Sequence, residues 1–93
     1  MDCTDKVWKL FKSWYISNTK DKFPFILRIT ESSLAGFGGL KTITLEIYHK
    51  VKSKITLYDT IIVKNIVDKI EKSVEQELFN WCIKYGIQQI SNV

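Results

Sequence analysis

Few side chains in this sequence have the type and spacing that chemistry needs. Its one histidine, His49, and Cys82 are the sole pair that could serve as base and thiol nucleophile, yet nothing in the spacing brings them together and no oxyanion-hole motif accompanies them. His49 therefore reads as a strand-end histidine. Glu71 and Glu75 stand one turn apart on a helical pattern, as metal-binding carboxylates can, but no histidine or further acid lies at ligand spacing. They read as a solvated face pairing with neighbouring lysines. Cys3 and Cys82 sit at opposite ends of the chain without metal-like spacing, and both are expected as free thiols. No catalytic residue, metal or cofactor is expected, and an enzyme is the class with least support.

Glycine is concentrated in one place. Residues 31–40 hold Gly36, Gly38 and Gly39, three of the four glycines. Phosphate-binding loops use glycine so that backbone N–H groups can approach an anion, but Ala35-Gly36-Phe37-Gly38-Gly39 lacks the Walker lysine and serine. The segment is expected to be a connection between strands, with Leu34 and Phe37 folding back on the core or forming a tip that touches a partner.

The fourteen basic residues outnumber ten acids, for a net charge of +4, and thirteen of the fourteen are lysines, Arg28 being the exception. Arginine's bidentate fork is the commonest device for reading base edges, so this balance favours sequence-independent phosphate contact or plain solubility. Lys50, Lys52 and Lys54 alternate along a strand and turn, and alternation alone places all three on one side. They are the candidate nucleic-acid contacts, beside a reading of the same lysines as a solubilising turn that discourages edge pairing.

These residues must be carried by a small number of elements. Thr4 can cap a helix over Asp5 to Ile16 whose apolar side is Val7, Trp8, Leu10, Phe11, Trp14 and Tyr15. Such a helix could rest on a membrane surface, but a chain of this size needs those rings for its core. Phe25, Leu27 and Ile29 alternate with Ile26, Arg28 and Thr30 as a first strand. Ile43, Leu45, Ile47 and Val51 alternate with Thr42, Thr44, Glu46, Tyr48 and Lys50 as a second. Ile55, Leu57 and Ile61 to Val63 make a third, with a bend or bulge at Asp59 and Thr60 and with Tyr58 on the outer face.

The longest periodic run is Asn65 to Tyr85, a helix with Asn65 as cap, Gly86 just beyond its end, and Ile66, Val67, Ile70, Val74, Leu78, Trp81 and Tyr85 in its apolar stripe. Phe79 and Ile83 project away from that stripe. Residues 87–93 are expected as a short frayed tail of a single domain spanning 1–93.

The expected fold is α+β, a helix, a three-stranded antiparallel meander and a second helix, with both helices on one face of the sheet. The order resembles that of the double-stranded RNA-binding fold. That family's basic cluster at the start of the second helix should follow Val63, where this chain has Lys64-Asn65-Ile66-Val67-Asp68-Lys69 with scattered lysines. No stretch is long and apolar enough to span a membrane, and no signal core opens the chain, so a cytoplasmic protein is expected. Apolar surface on Phe79 and Ile83, with Phe37 and Leu34, points to a non-enzymatic protein that binds another protein or itself, as inhibitor, adaptor or homo-oligomer. The Lys- and Ile-rich, Arg-poor composition suits a phage or mobile-element protein acting against a host defence. Lysine-mediated RNA or DNA binding is the alternative.

Overall fold

The strands form where side chains alternate, and one face of that alternation is dry. The computed structural model describes the backbone of residues 2–33 and 39–91, and side chains over 4–32 and 39–86. Its elements are α1 (Asp2–Thr19), β1 (Phe25–Ser33), β2 (Leu40–Val51), β3 (Lys54–Ile66) and α2 (Val67–Ser91). The strands pair antiparallel in the order β1-β2-β3, as expected of a meander.

Ile43, Leu45 and Ile47 of the central strand have no exposed surface. The register sets Leu27 beside Ile47 and Ile29 beside Leu45 on one flank, and Val63 beside Ile43 and Ile61 beside Leu45 on the other, so one face of the sheet is a continuous apolar floor. Helix α2 lies over β2 and β3 and closes it with Ile70, Val74, Leu78 and Cys82.

Helix α1 packs chiefly on α2 and touches the sheet through rings, Phe11 and Tyr15 reaching Phe25 with centroids 6.1 and 6.0 Å apart. Trp8 meets Trp81, Phe11 meets Tyr85 and Trp14 meets Gly86, so contacts climb both helices together and the two run side by side in the same direction. With Trp8, Trp14 and Tyr15 packed against the core, the helix is part of the fold. No helix among the described residues is long and apolar enough to cross a membrane.

Several local expectations are corrected. Thr4 does not cap α1, which begins two residues earlier; it is fully buried inside the helix. At the other end α1 runs on to Thr19, where Asn18 and Thr19 side chains donate to the carbonyls of Trp14 and Tyr15 and the Lys20 N–H donates to Ile16 O. Lys20 then turns the chain with φ of 64°.

Asn65 is the penultimate residue of β3, not a helix cap. Its Oδ1 accepts from the Ile66 N–H at 2.8 Å and its Nδ2 donates to Ser73 Oγ at 2.7 Å, binding strand to helix across a junction with no loop. Gly86 does not end α2, which continues to Ser91, so residues 87–91 are helical where a frayed tail was expected; residues 92 and 93 lie outside the described residues.

The largest correction is in β3. The pairing passes from Ile47 opposite Asp59 to Tyr48 opposite Leu57, leaving Tyr58 as an extra residue in a β-bulge. An extra residue reverses the alternation beyond it. Tyr58 therefore turns toward α2, meeting Phe25, Trp81 and Tyr85, while Leu57 and Ile55 move to the outer face. There Leu57 completes a cross-strand row with the exposed Ile26 and the half-buried Tyr48.

Candidate functional site

Between α1 and α2 runs a groove of about 310 Å³ floored by Val7, Phe11 and Cys82. Leu10 on one helix and Phe79 and Ile83 on the other form its rims. The rim residues stay wet, at 63%, 45% and 45% exposed. Their position follows from helical spacing: Phe79 and Ile83 lie one turn apart on the flank of α2 beyond Cys82, and Leu10 lies on the flank of α1 beyond Val7 and Trp14. Gly86 keeps the far end open, because a Cβ there would come within 3.4 Å of the Trp14 ring.

The chemistry available in the groove is that of burial, with no reactive group. Cys82 is a free thiol, and burial pushes its pKa up from 9.0 to about 12, so it stays protonated and inert at neutral pH. The structure does not pair it with His49, whose ring sits against Phe25 and Tyr58 with centroids 5.3 and 6.0 Å away. Glu71 is exposed and Glu75 half-buried on α2. Among the described residues no three His, Cys, Asp or Glu side chains gather as a metal site would require.

Of the expected protein-binding residues, Phe79 and Ile83 come together with Leu10 at the groove, while Leu34 and Phe37 lie outside the described residues. Leu10 was expected in the core. Its apolar side is right, but α1 meets the rest of the molecule over a narrower arc than its apolar residues occupy.

The basic hairpin does not present a single face. Lys50 pairs with Ile55 and Lys54 with Val51 across a two-residue turn, so strand alternation sends Lys50 and Lys54 to opposite sides. Lys52 occupies the turn itself with φ of 58°. Counting alternate residues through a turn assumes an unbroken strand, and here the chain reverses between Lys50 and Lys54.

Comparison with protein-family models, with curated proteins and with solved structures finds no match for this chain.

Proposed function

We propose that this protein is a non-enzymatic binding protein that takes an apolar segment of another protein into the groove between α1 and α2. The observation that carries the reading is the cluster of Leu10, Phe79 and Ile83, three large apolar side chains left about half exposed around one concave surface. Apolar anchors in an open groove supply binding energy by leaving water, and a helix-flanked groove suits side chains spaced along a partner helix. A groove of this volume sits at the low end of the roughly 300–1,000 Å³ typical of small-molecule pockets and lacks convergent polar groups to orient such a ligand. An inhibitor or adaptor role needs no more than this surface.

The test compares wild type with Phe79→Lys/Ile83→Lys. Both positions are about half exposed, so each substitution should cost folding stability no more than about 1.5 kcal/mol. Affinity purification from the native host, followed by mass spectrometry and binding of the purified partner, should give a complex that the double variant loses. Light scattering after size exclusion separates a self-associating protein from a monomer that waits for a partner. A purified partner that binds wild type and double variant equally would sink the groove assignment.

A further inference from the structure

We infer that the end of the molecule where the α1–β1 connection meets the β2–β3 hairpin binds the phosphate backbone of single-stranded nucleic acid. This site is separate from the helix groove and does not depend on it. The Lys50 N–H donates to Pro24 O at 2.7 Å, holding the connection against the hairpin. Between them lies an open cleft of about 740 Å³ whose lining includes Lys22, Lys50 and Lys52. A neighbouring hollow shares His49, Val51 and Lys52 with it and adds Lys54.

The charge here is one-sided. Residues 20–24 and 49–54 carry Lys20, Lys22, Lys50, Lys52 and Lys54 against a single acid, Asp21. All five lysines are exposed. The ion pairs formed by described residues, Arg28 with Glu46 and Lys41 with Glu31, use none of them. Five like charges in two adjoining segments repel one another, and a polyanion that releases its counterions relieves that repulsion.

A second observation concerns the backbone. Lys20 and Lys52, with φ of 64° and 58°, are the non-glycine residues with positive φ among those described. Glycine or asparagine takes that conformation more easily, so both turns keep a lysine at a cost in stability.

The ligand class follows from the kinds of residue. Lysines act as point charges and neither segment holds an arginine to fork onto base edges, so the contact is to phosphate and is independent of sequence. The half-buried rings of Tyr15 and Phe23, with His49, also line the cleft. Aromatic surfaces beside a basic track suit unpaired bases, which can stack, and a concave cleft admits a flexible strand more readily than a stiff duplex.

Fluorescence anisotropy with a labelled oligo(dT) of about 16 nucleotides tests this on the full chain. Binding should appear at low salt and weaken roughly 50-fold between about 50 and 200 mM salt if about four phosphates are neutralised. Lys22→Glu/Lys52→Glu should weaken it by at least tenfold. Lys69→Glu/Lys72→Glu, which changes net charge equally on α2 near the opposite end of the sheet, should weaken it far less. The inference is overturned if wild type fails to bind the oligonucleotide at low salt, or if the two double variants lose affinity equally. It is also overturned if a duplex of the same length binds more tightly, or if phosphatidylglycerol vesicles bind with the same lysine dependence while the oligonucleotide does not compete.

Discussion

The indole N–H of Trp81 donates to Asp59 Oδ2 at 2.7 Å, joining α2 to β3 at the bulge. Asp59 Oδ1 accepts from the Thr60 N–H at 2.8 Å, so one carboxylate orients the bulge and anchors the helix together. Hydrogen bonds to charged groups contribute about 1.5–3 kcal/mol when sheltered, and water at this exposed site lowers that to about 1 kcal/mol. Asp59→Ala and Trp81→Phe should each shift the urea midpoint downward. In a double-mutant cycle the two losses should fail to add by roughly that amount. Additive losses would show that the contact contributes nothing on its own.

The strand faces on either side of that bulge show how far the sequence could be read. Ile43, Leu45 and Ile47 alternate without interruption, so their burial followed from periodicity, and the strand order followed from the short connections. Tyr58 did not, because one extra residue reverses the pattern and nothing in Leu57-Tyr58-Asp59 distinguishes a bulged aromatic from an outward one. Gly86 and Asn65 carry the residue types of helix boundaries but serve packing and junction roles fixed by Trp14 and Ser73, partners distant in sequence or across the strand–helix joint. Phe79 and Ile83 stood out as residues the stripe could not absorb, and they do line the groove. Leu10 opposite them, and Lys22 beside the hairpin, become visible only when the chain is folded, since each joins its neighbours through tertiary placement.

Gly86 separates stability from groove shape. It lies within α2, where glycine costs roughly 0.8–1 kcal/mol relative to alanine. A Cβ would meet the Trp14 ring at 3.4 Å, the near limit of ordinary contact. Gly86→Ala should therefore raise stability by about 0.5–1 kcal/mol, or a few degrees in melting temperature. Because the new methyl group intrudes on the groove, any groove-bound partner should bind more weakly to the more stable variant. A loss of stability would mean that the Trp14 ring cannot yield.

Lys20 and Lys52 offer a similar separation at the basic end. Replacing either by glycine relieves a positive φ and should raise stability by up to about 1 kcal/mol, offset in part by the added freedom of glycine in the unfolded chain. Each replacement also removes one positive charge, and loss of the cleft-lining Lys52 should lower the salt-dependence slope of single-strand binding by about 0.7. Urea melts and anisotropy titrations on the same preparations check both directions. Variants that lose binding without gaining stability would show that the positive-φ conformation is not strained.

Alkaline pH should destabilise the fold through two weak acids, the buried Cys82 and the half-buried Tyr85. Burial raises Cys82 from 9.0 to about 12, and burial, aided by Tyr15 and Tyr58, raises Tyr85 from 10.0 to about 12. In the unfolded chain both groups lose their protons near their ordinary values, while in the folded chain they hold them. The unfolded state thus binds fewer protons between about pH 9 and 12, and stability falls as pH rises through that window. Below pH 9 their contribution is fully present. Urea midpoints measured from pH 7 upward should stay level with respect to these groups and then decline, and Cys82→Ala should flatten the onset while leaving the later part carried by Tyr85. The same burial predicts that a thiol reagent acts on Cys82 slowly in the native protein and quickly in urea, so Cys3→Ser should be used to isolate that signal. Rapid native modification at neutral pH would mean that the groove floor opens, and the alkaline decline should then weaken with it.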